Sequence, residues 1–322
     1  MIISKTPFRI TLGGGGTDLP SYFTEYEGLV ISVCINKFMY VIINEPFDNL
    51  IRIKYAQNET VSDVNLIEHN VAREALKSLD ITQKIDIVSL ADLPAGTGLG
   101  SSSCYSVGLL KALYTYKQKY ISDYELAKKA CDLEINKCQY PVGVQDQFMA
   151  TYGGLKRLDI QQNSNVIVTP IKISKTSLKD LNDNLLMFYT NTERDANVIL
   201  KEQSKNISNS QMVENMHYIK EIGEKIYTAL REDNLTEIGL LFDQHWKYKK
   251  RMATSISNPK FDEIYEIAKK NGALGGKISG AGGGGFFLFY VESKQKQFIQ
   301  TMKSLNLNQM DFRFEEKGTH IL

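Results

Sequence analysis

Clusters of β-branched and aromatic residues predict strands over Ile2 to Leu12, Leu29 to Asn44 and Ile51 to Tyr55. Helical spacing takes over from Ile67 to Leu79, and Ile85 to Ala91 reads again as a strand. Glycine-rich Pro94 to Gly100 interrupts before a long helical stretch from Ser101 to Lys117. A further helix is predicted from about Asp123 to Lys137, capped by Ser122 or Asp123 and stopped by Pro141. Gly143 to Gly154 reads as a polar loop, and Leu155 to Ile160 with Val166 to Ile171 as a hairpin. Asp195 to Arg251 forms one long helical region without a glycine or proline cluster. Beyond it come a helix from Phe261 to Lys270, Gly275 to Ser279, a glycine run, Gly285 to Val291, a helix from about Lys294 to Leu305 and a last strand. The class is α+β, and 322 residues exceed what one hydrophobic core usually serves, so two lobes are expected.

Charge narrows the partners. With 38 basic and 37 acidic residues there is no field to gather nucleic acid or an anionic membrane, and no aromatic RNA-binding strand signature is present, so a small-molecule substrate fits better. Cys34, Cys104, Cys131 and Cys138 show no C-x-x-C spacing and suit reduced thiols in a cytoplasmic protein. No signal peptide and no membrane-spanning apolar run is expected. The sequence leaves the oligomeric state open.

Three glycine-rich segments carry the candidate chemistry. Pro94-Ala-Gly-Thr-Gly-Leu-Gly-Ser-Ser-Ser103 lies between a predicted strand and a helix start, where glycines let the backbone approach a ligand and free amides attract phosphate. Its serines can complete that cradle or reach a metal, and the same residues would also suit a tight turn with caps. It is no Walker A loop, because Lys277 is followed by Ile278 and has Asn271 where the first glycine belongs. Gly280, Gly282 and Gly285 match a dinucleotide G-x-G-x-x-G, yet the following Phe286 to Tyr290 is strand-like, which rejects that fold. In the segment Pro7 to Pro20, Arg9 sits in an apolar strand and Asp18 follows four glycines; alone, these are a paired arginine and a turn former.

In this order the three segments resemble the motifs of the GHMP kinase superfamily, over Pro7 to Phe286. Pro94 to Ser103 is similar to its P-x-x-x-G-L-G-S-S phosphate loop, and Lys277-Ile-Ser-Gly-Ala-Gly-Gly-Gly-Gly-Phe286 to its C-terminal glycine motif. The resemblance implies a two-lobed fold, with an N-terminal ATP-binding domain over residues 1–172 and a helix-rich α+β C-terminal domain over 173–322. It also implies an ATP- and Mg²⁺-dependent kinase acting on a sugar or sugar phosphate. Phosphates would be held by Pro94, Ala95, Gly96, Thr97, Gly98, Leu99, Gly100, Ser101, Ser102 and Ser103. Ser102 and Glu134 would hold the metal, and Gly143-Val-Gln-Asp-Gln-Phe-Met149 places the catalytic aspartate at Asp146, with Arg9 neutralising charge in transfer.

Gly15, Gly16, Thr17, Asp18, Gly282 and Arg194 are the implied substrate-binding residues, Asp18 through sugar hydroxyls. Asn191-Thr-Glu-Arg194, His245-Trp-Lys-Tyr-Lys-Lys-Arg251 and Ile256-Ser-Asn-Pro259 resemble the D-glycero-D-manno-heptose 7-phosphate kinase subgroup, with L-fucose kinases as near relatives. The implied reaction is phosphorylation of the anomeric C1 hydroxyl; Arg194, Lys250 and Arg251 are candidates for a phosphate already on the substrate, although Lys249 to Arg251 also suit a solvated helix face. Galactokinases carry Glu-His where Gly15 and Gly16 stand here, which tells against galactose. The rivals are a kinase of L-fucose or another free hexose, and a non-catalytic sensor on the same fold.

Overall fold

The computed structural model describes residues 1–192, 199–203 and 209–322. Its larger sheet has eight strands: β1 (Ile2–Gly13), β2 (Gly28–Asn44), β3 (Ile51–Lys54), β4 (Asn58–Val61), β5 (Ile85–Ala91), β6 (Leu155–Ile160), β7 (Val166–Pro170) and β12 (His320–Ile321). The order is β12-β1-β2-β5-β3-β4, with β6 and then β7 joined to the other half of β2. Strand β2 is long enough to serve two neighbours on one edge: residues 28–33 pair with β6 and residues 39–44 with β5. Among the described strands only the β3–β5 pair is parallel. The β1–β2 register shifts between Pro7 and Phe8, where proline cannot donate to the ladder, and this irregularity immediately precedes Arg9.

From Thr6 to Gly13 strand β1 is buried on both faces, because the helix Ser101–Tyr116 packs against β1 and β2; Arg9 and Thr11, which alternate with apolar Phe8, Ile10 and Leu12, are therefore buried as well. The smaller sheet, β11-β8-β10-β9, is built from β8 (Leu185–Tyr189), β9 (Gly275–Ile278), β10 (Phe286–Tyr290) and β11 (Asn308–Met310). Phe188, Phe287, Phe289 and Trp246 fill its own core, and the chain then returns to pair β12 with β1. The strand after Gly285 is β10, as expected for a segment that does not bind a dinucleotide. All four cysteines are unpaired, and among the described residues no helix is long and apolar enough to cross a membrane.

Three segments depart from expectation. Gly143 to Gly154 is not a loop throughout: Gln145–Tyr152 is a two-turn helix, with Asp146 in its first turn where a negative charge suits the helix dipole. Its polar opening, Gln145-Asp146-Gln147, conceals the apolar side formed by Phe148 and Met149. The helix beginning at Asp123, capped by Ser122 and Glu125 as a capping box, is α-helical only to Cys131 and then widens to a π-helical turn over Asp132–Lys137. Of the long helical region, residues 195–198 and 204–208 lie outside the described residues; from residue 210 on it is divided into Ser210–Arg231 and Leu235–Lys249 by Asp233, at φ 54°, and Asn234, whose side chain caps the second helix, and neither breaker is glycine or proline. The helices Pro20–Tyr26 and Lys175–Asn184 and the strands β4 and β8 add to the predicted set.

Candidate active site

One cleft of about 780 Å³ joins the glycine segments. Below it the phosphate-type loop leaves β5 and enters the helix Ser101–Tyr116 through Gly96, Gly98 and Gly100, at φ 75°, 79° and 85°, a region that suits glycine. Buried Leu99 and Thr97 anchor the loop, and β1 fixes its path twice: the Arg9 backbone N–H donates to the Leu99 carbonyl at 3.2 Å, and Arg9 Nη1 to the Gly98 carbonyl at 2.8 Å. Gly100 opens the helix without a side-chain cap. Amides of the first turn therefore face the cleft beside Pro94, Ala95 and Ser101 to Ser103. The C-terminal glycine run closes against this loop, since a Cβ at Gly285 would overlap the Thr97 carbonyl.

At the helix start stands Asp146. Arg9 grips it with both arms, Nε to Oδ1 and Nη2 to Oδ2, each at 2.7 Å, and the carboxylate faces Gly100, where an added Cβ would lie 3.1 Å from Oδ2. The π-helical turn aims Glu134 inward, fully buried, to accept hydrogen bonds from the Ser102 and Ser103 hydroxyls at 2.7 Å each and from the Gln147 amide. Burial raises the Glu134 carboxyl above its ordinary range, the three hydrogen bonds oppose that rise, and the Asp146 charge adds to it. A single carboxylate with an adjacent serine hydroxyl suits Mg²⁺ that takes its remaining ligands from phosphates and water; among the described residues there is no cluster of three or more acidic, histidine or cysteine ligands.

Asp18 occupies the other side of the cleft with Gly15 and Gly16. It is held by the Gly16 N–H at 3.0 Å, the Gln145 N–H at 3.3 Å and the Gln145 side-chain amide at 3.2 Å; Gln145 in turn accepts from Thr11 at 2.7 Å. A Cβ at Gly143 would overlap the Asp18 carboxylate, so glycine is required there. Burial raises the Asp18 carboxyl, the Asp146 charge raises it further, and the backbone hydrogen bonds from Gly16 and Gln145 pull it back. A carboxyl raised in the fold loses stability as pH climbs from its ordinary value of 3.8 through its folded one. Asp18→Asn removes that titration, so the variant is expected to gain melting temperature relative to wild type as pH rises; paired melting curves across the acidic to neutral range check this.

The remaining candidates separate. The Thr17 hydroxyl lies 2.8 Å from both the Gly14 and the Leu29 carbonyls, which share its one proton, and Gly282 is buried against Ile256, while Gly280 and Ala281 form the cleft wall beside it. Lys250 pairs with Asp262 at 2.8 Å and exposed Arg251 lies over the Tyr248 ring, outside the cleft; Arg194 lies outside the described residues. Among the described residues, the cations that line the cleft besides Arg9 are Lys249 and Lys277, both buried, with His245 beside them. Burial, reinforced by the Arg9 charge, brings the Lys277 ammonium down to about 7, and burial with the charges of Lys277 and Lys249 pushes His245 well below its usual value. Sequence reasoning missed Gln145, His245, Lys249 and Lys277. The available signal was a lysine in each of two apolar elements that bury it. Also missed was the apolar end by the loop, where His69 packs edge-on to Tyr55 at 4.7 Å and against Tyr105 at 5.0 Å, near Leu90 and Leu93.

This geometry coincides with family evidence. Residues 65–154 match the GHMP kinases N terminal domain and residues 226–306 the GHMP kinases C terminal domain, so the chain belongs to the GHMP kinases and is an ATP-dependent phosphotransferase. It is 29% identical to D-glycero-alpha-D-manno-heptose 7-phosphate kinase of Campylobacter jejuni, over 98% of this chain and 97% of that one. Among solved structures it is similar to a D-glycero-D-manno-heptose 1-phosphate kinase from Bacteroides thetaiotaomicron, with a TM-score of 0.83, 26% identity, and coverage of 100% of this chain and 99% of that one. Lactococcus lactis galactokinase complexed with galactose shares the fold at a TM-score of 0.78 and 16% identity, covering 100% and 95% of the two chains.

Proposed function

We propose that this chain transfers the γ-phosphoryl group of ATP to a sugar hydroxyl, and that the acceptor is the anomeric C1 hydroxyl of D-glycero-D-manno-heptose 7-phosphate, giving the 1,7-bisphosphate. The observation that carries the transfer is the placement of the Asp146 carboxylate, held by Arg9, so close to Gly100 that a Cβ there would lie 3.1 Å from it, at the mouth of a loop whose amides suit phosphate. The sugar is inferred from the heptose phosphate kinases to which the chain is similar along its whole length.

Amides from Gly96 to Ser103 hold the triphosphate, and the apolar end around Tyr55, His69 and Tyr105 takes the base. Mg²⁺, held by Ser102 and Glu134, neutralises phosphate oxygens when bound. Asp146, oriented by both arms of Arg9, accepts the proton of the attacking hydroxyl while the guanidinium balances charge that moves onto the transferred group. Asp18, fixed by Gln145 and Gly16, orients the acceptor through two hydroxyls.

A panel of free heptose, heptose 7-phosphate, heptose 1-phosphate, L-fucose, galactose and mevalonate tests the reading through ATP- and Mg²⁺-dependent ADP release, with NMR of the product. The expected result is a kcat/KM preference for heptose 7-phosphate and a new phosphorus coupling at C1. Preference for L-fucose or another free hexose, or a phosphate entering at C7 of heptose 1-phosphate, would replace this acceptor with that one.

A further inference from the structure

The acceptor side of the cleft holds positive charge that transfer at Asp146 does not use. Lys277 projects from β9 at 2% exposure, with its Nζ donating to the Leu12 carbonyl at 2.6 Å and lying 4.9 Å from the centre of the Phe242 ring. An ammonium has three N–H donors, and this one pairs with no carboxylate among the described residues. His245, on the helix Leu235–Lys249, is 1% exposed, and neither ring nitrogen has a hydrogen-bond partner among the described residues. One turn further along, Lys249 adds a second cation, with Nζ bonded to the Ile278 and Gly280 carbonyls.

Among the described residues the nearby carboxylates do not supply a counter-charge to Lys277: Asp146 is engaged by Arg9, and Asp18 by Gly16 and Gln145. A buried ammonium is ordinarily paired and a buried imidazole ordinarily hydrogen-bonded, so Lys277 and His245 are placed to meet an anionic group of a ligand.

We propose that Lys277 and His245 form the subsite for an anionic group borne by the acceptor, a phosphate monoester. The proposal rests on the acceptor being a phosphorylated sugar, and it moves phosphate recognition away from Lys250 and Arg251, which lie outside the cleft. Burial keeps His245 neutral, so its ring offers one N–H, and Lys277 contributes charge-assisted bonds to a second oxygen. A dianion arriving beside Lys277 offsets the burial and the Arg9 charge that together favour its neutral form.

The same chemistry could come from the γ-phosphate of the nucleotide, and calorimetry separates the two. Heptose 7-phosphate, free heptose and a non-hydrolysable ATP analogue are titrated separately into wild type, Lys277→Met, His245→Leu and His245→Gln. Wild type is expected to bind the phosphorylated sugar more tightly than the free one. Lys277→Met is expected to lose about 30-fold or more for heptose 7-phosphate, while free heptose and the ATP analogue change less than about 3-fold. His245→Gln, which keeps an N–H donor, is expected to retain more of the preference than His245→Leu. Melting curves run beforehand confirm folding, and Lys277→Met, which removes a buried unpaired cation, is expected to melt higher than wild type.

Equal losses for both sugars, or a loss confined to the ATP analogue, would overturn the subsite. So would a wild type that binds heptose 7-phosphate no more tightly than heptose. Tight, Lys277-dependent binding of the 7-phosphate with transfer to a hydroxyl other than C1 would leave the subsite standing and refute only the C1 assignment.

Discussion

Asp146→Asn lowers kcat by about 10²- to 10⁴-fold, the usual range for a positioned general base, and leaves the affinity for an ATP analogue nearly unchanged. The amide keeps the shape of the carboxylate but offers one oxygen where Arg9 now donates to two, so proton acceptance and charge balance fail together. Nucleotide binding survives because the loop is held by bonds that do not involve Asp146: the Arg9 N–H to Leu99, Arg9 Nη1 to Gly98 and Thr97 to Pro94. Steady-state kinetics with both substrates, together with analogue titration, measures the effect. A variant that binds the analogue and keeps near-normal kcat would remove Asp146 from the chemistry.

The second large effect is expected at Glu134. Glu134→Gln raises the Mg²⁺ concentration for half-maximal activity by about 10- to 100-fold or more and reduces kcat. The loss should come from charge rather than from collapse: the Ser102 and Ser103 hydroxyls can rotate to accept from the new amide, so folding is retained. Burial already makes the ionised carboxylate costly, which is tolerable if a cation neutralises it during the working cycle. Mg²⁺ titration at saturating ATP is the measurement; unchanged Mg²⁺ dependence in a folded variant would dismiss Glu134 as a ligand.

Much of this site was legible because its chemistry is local. The order strand, glycine loop, helix predicts free amides at Gly96 to Ser103 without knowledge of any distant residue, and the structure has the turn with its three glycines at positive φ. Capping at Ser122 was legible for the same reason, since a capping box joins residues three apart. Gln145–Tyr152 was not, because two turns are too short for periodicity to emerge and its stability comes from burying Phe148 and Met149 against the larger sheet. Nor was the π-helical turn that turns Glu134 inward, an irregularity that propensities do not encode.

The acceptor wall was the least legible part. A run of Lys249, Lys250 and Arg251 looks like one solvated face, yet a helix turns about 100° per residue, and so Lys249 is buried over the Ile278 carbonyl while Lys250 reaches Asp262 and Arg251 lies over Tyr248. Which of three neighbouring cations faces the cleft depends on the packing of the helix Leu235–Lys249 against β9.

The sequence by itself determined the phosphate-type loop, the strand placement of Arg9 and the resemblance that joined the three glycine segments, because these follow from backbone freedom and short-range order. Only the tertiary structure decided that Arg9 meets Asp146 across 137 residues, that Ser102 and Ser103 both reach Glu134, and that Lys277 lies against Leu12 from 265 residues away. Such contacts join sheets and helices whose mutual orientation is fixed by burial of the whole core, and no local pattern carries that information.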